Sequence, residues 1–152
     1  SIHFPRMLDQ SLPPSPTIRA ELLEEAVITR RKIVAFHAAG PGLPLRTLHL
    51  YRLGDTLLKA GRVREAAVQY ELVIALCEAS VDQAATEEQC SVQTFAGSCN
   101  GMGVVAYRDK DYPTAVSWFE RSLKLNPEQE DAKDNMLQLD HKGLRWEFPK
   151  LT

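Results

Sequence analysis

The chain has 152 residues, of which 44% are hydrophobic and 25% are charged, with 18 Lys and Arg against 20 Asp and Glu. These values are typical of one globular domain. The net charge of −2 argues against a nucleic-acid binder that relies on a broad basic face. No apolar run approaches the roughly 20 residues that a membrane-spanning helix needs. Residues 1–16 contain four prolines and no continuous apolar stretch, so the sequence predicts no signal peptide.

The three cysteines, Cys77, Cys90 and Cys99, cannot all pair with one another. Their spacing matches neither a CxxC pair nor a zinc finger. Free cysteine is usually a small buried apolar residue, and we therefore expect three reduced, buried side chains. That expectation favours the cytoplasm or another reducing compartment.

Helical periodicity dominates the chain, and no segment shows the alternation of a strand. Residues 1–16 are predicted to be extended because proline fixes φ and removes backbone donors. Ser15-Pro16 has the form of a helix start, with a side-chain acceptor followed by proline. A first helix then runs to the Gly- and Pro-rich break at 39–44. A second helix is predicted from about Leu45 to Ala60, and a third from about Val63 to Ala79.

The later boundaries come from turn and capping signals. Ser80-x-x-Gln83 and Thr86-x-x-Gln89 both have the form of a capping box, so we place a turn between them. A fourth helix follows and ends near residue 108, and a fifth covers 113–125. Asn126 is predicted to be the N-cap of the sixth helix, with Pro127 in its first turn. This last helix fades near residue 146 and leaves a tail at 147–152.

Residues 50–76 align without a gap with residues 99–125. A glycine in each first helix would let two helices approach closely, and an alanine in each second helix would do the same. An aromatic residue would fill the space between each pair and its neighbours. A turn of about four residues makes the two helices antiparallel. The matching pairs are Gly54 with Gly103, Ala66 with Ala115, and Tyr70 with Phe119.

This order of residues resembles the tetratricopeptide repeat, whose signature includes Leu-Gly, Ala, an aromatic residue and Pro. The second copy has Pro127 at the family's spacing, whereas Glu78 stands there in the first. The copies lie 103 − 54 = 49 residues apart, against about 34 in the usual repeat, which indicates a longer hairpin. The resemblance implies an all-α array of antiparallel helix pairs over 17–146, closed by a C-terminal capping helix.

No residue pattern predicts a catalytic residue, a cofactor or a metal. The glycines at 97, 101 and 103 follow no strand and precede no Gly-Lys-Ser/Thr, so they do not form a phosphate-binding loop. The four histidines are scattered. Glu24-Glu25 and Glu87-Glu88 are adjacent pairs, whose members point apart on a helix. The basic run Arg30-Arg31-Lys32 is expected to be a solvated helix face or, alternatively, a contact for a phosphate or an acidic partner.

The resemblance also implies that the first helix of each pair lines a concave groove. Lys59 and Arg108 fall on equivalent positions, so they are either a repeated groove cation or two cations favoured by helix C-termini. A clamp for a chaperone's C-terminal carboxylates is not expected, since Gly101 and Asp131 occupy positions that such a clamp needs. The groove candidates are Tyr51, Arg52, Asp55, Leu58, Lys59, Asn100, Val104, Tyr107, Arg108, Asn135 and Gln138.

These features predict a non-catalytic protein–protein interaction module, an adaptor or scaffold that binds another protein's peptide or helix in the groove. An acidic partner segment would suit the cations. Two alternatives stay open: a structural subunit packed permanently in a larger complex, and a helical ligand-binding or enzymatic domain. The sequence predicts neither a nucleic-acid partner nor an oligomeric state.

Overall fold

The computed structural model of the chain describes residues 15–39, 46–81 and 90–144. Within these ranges every regular element is an α-helix and no strand occurs, which confirms the predicted all-α class. No helix in the described ranges is both long and apolar enough to cross a membrane. The helices are α1 (Pro16–Ala39), α2 (Arg46–Lys59), α3 (Val63–Val81), α4 (Val92–Arg108), α5 (Tyr112–Leu125) and α6 (Glu130–His141).

Several predicted features lie outside the described residues. They are most of the extended N-terminal segment, the break after the first helix, the turn at residues 82–89 and the C-terminal tail. The described parts of α3 and α4 have 19 and 17 residues, against 14 each for α2 and α5. Part of the additional sequence that separates the two aligned segments, compared with the usual repeat, therefore lengthens these two helices.

The helix starts follow local capping chemistry. The Ser15 hydroxyl accepts a hydrogen bond from the Ile18 N–H at 3.2 Å, as the Ser-Pro start predicts. The Ser91 hydroxyl accepts from the Thr94 N–H at 3.1 Å, so α4 begins later than the two capping boxes indicated. The predicted N-cap of the sixth helix is wrong. Asn126 closes α5, and its side chain accepts from the Glu128 N–H at 3.2 Å in a turn, because Asn stabilises turns as readily as helix starts.

The α2–α3 and α4–α5 pairs are each antiparallel, as their contacts show. The Asp55 carboxylate in α2 meets Tyr70 in α3, and Leu50, earlier in α2, clusters with Val73, later in α3. In the second pair, the Ser122 hydroxyl of α5 donates to the Ala96 carbonyl near the start of α4 at 2.6 Å. Short turns and opposite chain directions thus produce the two predicted hairpins.

The residues predicted to form the core are buried in both hairpins. Ala66, Tyr70 and Ala115 have no exposed surface, and Phe119 is 2% exposed. A Cβ atom added to Gly54 would lie 2.8 Å from Tyr70 Cε1. A Cβ atom added to residue 103 would lie 2.5 Å from Phe119 Cδ1. Such distances are shorter than carbon atoms tolerate, so each glycine is needed for the close approach of its helix to an aromatic ring.

Helices α2, α4 and α6 lie side by side in the same direction. The Tyr51 ring packs on residue 97, and seven residues further along α2 the Leu58 carbonyl accepts a hydrogen bond from Arg108 at 3.1 Å. The Asn135 amide of α6 donates to Asn100 of α4 at 2.9 Å, and seven residues later residue 142 meets residue 107. This row of helices presents the groove candidates on neighbouring elements.

The prediction that all three cysteines are reduced is wrong for two of them, although Cys77 is buried as predicted. Cys77 and Cys90 form a disulfide with their Cα atoms 5.4 Å apart, and it links the end of α3 to the residues before α4. Cys99 is a buried thiol. The spacing of 13 residues carries no disulfide signature, since the approach of these two cysteines depends on how the second helix of one hairpin meets the first helix of the next.

Candidate functional site

The side chains predicted to line the groove fall on one surface, which we call the α2–α4–α6 face. Arg52 and Lys59 are exposed on α2, and Gln138 is exposed on α6. The others are half-buried, except Arg108, which is exposed at the end of α4. The predicted members of this face are Tyr51, Arg52, Asp55, Leu58 and Lys59 on α2, Asn100, Val104, Tyr107 and Arg108 on α4, and Asn135 and Gln138 on α6.

A cleft of about 210 Å³ lies between α4 and α6. Its apolar lining includes Phe119 and Leu139, which belong to the core cluster of the second hairpin. Its polar groups come from the side chains of the two flanking helices. An apolar floor with a few polar groups at the rim is the usual composition of a site that anchors a side chain. Five predicted residues line this cleft: Val104, Tyr107, Arg108, Asn135 and Gln138.

Two polar contacts hold α6 against α4 at either side of this cleft. The Asn135 amide nitrogen donates to the Asn100 side-chain oxygen at 2.9 Å. The Lys142 ammonium donates to the Tyr107 hydroxyl and lies 5.0 Å from the centroid of its ring. Cation–ring contacts of this kind stabilise the pair at partly exposed sites. These contacts connect the two walls of the cleft.

On α2, Asp55 is held by the core rather than presented to solvent. The Tyr70 hydroxyl donates to the Asp55 carboxylate at 2.5 Å, and Tyr51 is a second hydrogen-bond partner. Desolvation by burial raises the pKa of Asp55 above its ordinary value, and the two tyrosine hydrogen bonds oppose that rise. Burial also raises the pKa of both tyrosines, and the Asp55 charge adds to it. Both tyrosines are therefore neutral hydrogen-bond donors near neutral pH.

The two cations on equivalent sequence positions have different surroundings. Lys59 is exposed in the last turn of α2. Arg108 donates through Nη1 to the Leu58 carbonyl at 3.1 Å, which is one of the carbonyl groups at the C-terminal end of α2. Arg108 therefore stabilises a helix end and lines the cleft at the same time. Of the two alternatives, a cation at a helix end describes this contact. The helix end that Arg108 contacts is, however, that of α2 in the neighbouring hairpin.

Three residues of this face were not among the predicted site residues. Lys142 contacts Tyr107, and the Asp131 charge acts on both Tyr51 and Asp55. Gly97 lies beneath the Tyr51 side chain, where an added Cβ would lie 2.8 Å from two ring carbons and from the hydroxyl oxygen. Lys142 and Asp131 could have been found by continuing the helical register of α6, since both stand seven residues or fewer from Asn135 or Gln138.

A carboxylate clamp at residue 101 is sterically blocked. A Cβ atom added to Gly101 would lie 2.5 Å from Cε2 of the buried Tyr70 ring, so no longer side chain fits there in this backbone. Asp131 adds a negative charge on the same surface, which would repel a terminal carboxylate. Both observations agree with the expectation that this face does not hold a free carboxylate in that way.

Metal and family comparisons add no further assignment. In the ranges 15–39, 46–81 and 90–144, no group of three or more His, Cys, Asp or Glu side chains could hold a metal ion. Comparison of the chain with protein-family models, with curated proteins and with solved structures found no match. The geometry of the α2–α4–α6 face is therefore the basis for inferring a function.

Proposed function

We propose that the chain is a tetratricopeptide-like helical array that binds a segment of another protein on its α2–α4–α6 face. The observation that carries this proposal is the cleft between α4 and α6, with an apolar floor and polar walls that the Asn135–Asn100 hydrogen bond joins. The exposed cations of α2 lie on the same row of helices. Such a surface has room for an extended or helical segment and a pocket for one of its apolar side chains.

The repeated packing in the two hairpins supports the tetratricopeptide-like part of this proposal. In each hairpin a glycine of the first helix lies under an aromatic ring of the second, Gly54 under Tyr70 and Gly103 under Phe119. The equivalent alanines of both second helices are fully buried. The parallel row of first helices continues into α6, which takes the place of a further first helix. A capping helix in that place would cover the core of the last hairpin.

An acidic segment suits the end of this face that Lys59 and Arg108 form, since Asp131 acts at the other end, near Tyr51. Arg52 and Lys59 are exposed and stand seven residues apart, about two turns along the same side of α2. Asp55 lies between them, but it is half-buried and its carboxylate accepts hydrogen bonds from two tyrosines. The cations would accelerate encounter, while the apolar cleft and its tyrosine would slow dissociation.

Binding can be tested with acidic peptides selected from a displayed library on the intact chain. Gln138→Trp places an indole over the cleft from an exposed position, and Leu137→Trp adds the same ring beside it on α6 as a matched control. We expect the first variant to lose binding by about tenfold or more and the second to bind normally, measured by titration calorimetry.

The charge contribution has its own control. Lys59→Glu and Lys124→Glu reverse exposed lysines in the last turns of α2 and α5, respectively. Only the first should slow association, and raising the salt concentration should remove the difference. Equal binding by all four variants would show that the partner segment does not occupy this face.

A further inference from the structure

A second groove lies on the side of α4 that faces away from the α2–α4–α6 face. It has a volume of about 180 Å³ and lies between α3 and α5. Met102, Val105 and Ala106 of α4 line its floor. The cleft between α4 and α6 is lined instead by Val104 and Tyr107 of the same helix. These two sets of residues stand on opposite sides of α4, since successive residues of a helix are about 100° apart. We call the second site the α3–α5 groove.

Two ion pairs connect α3 to the second hairpin beside this groove. Arg64, at the start of α3, pairs with Asp109 at the end of α4. Glu78, near the end of α3, pairs with Arg121 of α5 at 2.9 Å. Between them the half-buried Trp118 lines the groove from α5, and the Arg121 guanidinium lies 5.6 Å from the centroid of its ring. The groove thus has an aromatic wall as well as an apolar floor.

The charges that line the α3–α5 groove are unbalanced. Arg64 is the one cation beside three carboxylates, and its pairing with Asp109 leaves Glu71 and Asp111. Neither of these two carboxylates forms a salt bridge in the part of the chain that the structure describes. Asp111 is also the N-cap of α5, whereas Glu71 is exposed on α3. Lys110 is exposed in the turn between α4 and α5 but does not line the groove. The excess of carboxylates favours a cationic occupant.

The volume of the groove limits the size of that occupant. Sites that enclose a whole small ligand have volumes of about 300–1,000 Å³, so a groove of about 180 Å³ has room for a single long side chain. The adjoining strip of α3 is apolar at its surface, where Val68 is 51% exposed and Leu72 is 42% exposed. Val68 stands three residues before Glu71, and residues at that spacing are neighbours on a helix. The residues that flank the inserted side chain can therefore pack on apolar surface.

We propose that the α3–α5 groove binds an arginine side chain of a partner protein, flanked by apolar residues. The planar guanidinium of arginine pairs with carboxylates through two N–H groups and lies favourably against an aromatic ring. Its methylene stem can cover the apolar floor while its charge reaches Glu71 and Asp111. This site takes a basic segment, whereas the α2–α4–α6 face is proposed to take an acidic one. The two sites therefore select different segments and can be tested independently.

The peptide acetyl-Leu-Arg-Leu-amide, added to the 152-residue chain, is the probe for this site. We expect a dissociation constant of about 0.1–1 mM, because one side chain and its two neighbours make the contact. The same peptide with citrulline, the neutral isostere of arginine, should bind about tenfold more weakly. Nuclear magnetic resonance of the indole N–H groups measures both titrations. The Trp118 signal, identified by its loss in Trp118→Phe, should move with the arginine peptide.

A pair of charge-matched variants tests the position of the contact. Glu71→Gln keeps the shape of the side chain and should weaken binding of the arginine peptide about three- to fivefold, the range of an exposed ion pair. Glu120→Gln is the control, since Glu120 aligns with Glu71 in the second copy and is exposed on α5 but does not line the groove. It should leave the affinity unchanged, and circular dichroism should show both variants folded.

Four results would each overturn the proposal. They are the absence of binding by the arginine peptide, equal binding by the citrulline peptide, a Trp118 signal that does not move, and equal affinities for Glu71→Gln and Glu120→Gln. The last of these would show that the peptide responds only to the net charge of the chain or binds elsewhere. None of them bears on the binding of acidic peptides to the α2–α4–α6 face.

Discussion

The contact between Gly103 and Phe119 makes the packing of the second hairpin measurable. Phe119 is 2% exposed and lies in the core cluster with Ala106, Ala115 and Leu139. Removing its ring should cost about 3–5 kcal/mol of the free energy of unfolding, the usual range for a buried aromatic residue. This loss alone would show only that the ring is buried. The glycine beneath the ring gives a sharper test of how closely the backbone of α4 approaches α5.

Gly103→Ala should have opposite effects with and without the ring. In the unaltered chain the new methyl group would lie 2.5 Å from Phe119 Cδ1, and overpacking of this kind costs about 1–3 kcal/mol. The better helix propensity of alanine returns up to about 1 kcal/mol. In the Phe119→Ala background the clash is absent, so the same change should stabilise the chain by about 1 kcal/mol. The difference, about 1–3 kcal/mol, is the coupling between the two positions.

Urea unfolding, monitored by the circular dichroism signal of the helices, gives the four free energies of this cycle. Gly54→Ala is the control, because its own clash is with Tyr70 in the other hairpin. Its cost should be the same with or without Phe119, within about 0.5 kcal/mol. If Gly103→Ala costs as much without the ring as with it, the helices α4 and α5 do not pack as described, and the proposed repeat register loses its main support.

Three further predictions concern contacts outside this pair. Arg108→Ala should lower the free energy of unfolding by about 0.5–1.5 kcal/mol, because the Leu58 carbonyl loses one of its two donors and keeps the Gly61 N–H, and urea unfolding measures the loss. Reducing the Cys77–Cys90 disulfide should cost about 2–3 kcal/mol, since the bond closes a short loop, and thermal melts with and without dithiothreitol test this. Because burial raises the pKa of Asp55 in the folded chain, its contribution to stability is present below the ordinary carboxyl pKa and is lost as pH rises through the folded value. Asp55→Asn should therefore gain stability relative to the unaltered chain between acidic and neutral pH, as urea unfolding at several pH values would show.

The sequence was sufficient for the helices and their core because those features depend on local spacing. The recurrence of Gly, Ala and an aromatic residue at one interval predicted the burial of Ala66, Tyr70, Ala115 and Phe119. Helical periodicity needs only the residues of one segment, and the ungapped alignment then related one segment to another. The start at Ser15-Pro16 succeeded for the same reason, since its capping bond spans three residues.

The contacts that were predicted wrongly or not predicted join segments that are distant in the sequence. The disulfide requires the end of α3 to contact the residues before α4, and the spacing of the cysteines in the sequence does not predict that contact. The bond from Arg108 to the Leu58 carbonyl joins residues 50 positions apart. The N-cap at Asn126 failed for a different reason, because the same side chain can stabilise a turn or a helix start, and the two are indistinguishable in sequence.

The double role of Arg108 decides how recognition on the α2–α4–α6 face can be separated from stability. A combined Lys59→Ala and Arg108→Ala variant would remove a helix-end hydrogen bond together with a surface charge, so weaker binding could come from a loosened end of α2. Lys59 is exposed as well, and its removal leaves that bond in place. Lys59→Glu beside Lys124→Glu isolates the charge, whereas Arg108→Lys keeps the charge and changes the geometry of the donor. If the binding of a partner weakens with Lys59→Glu but not with Arg108→Lys, the partner recognises the charge of this face. If its binding weakens only with Arg108→Lys, it depends on the position of α2.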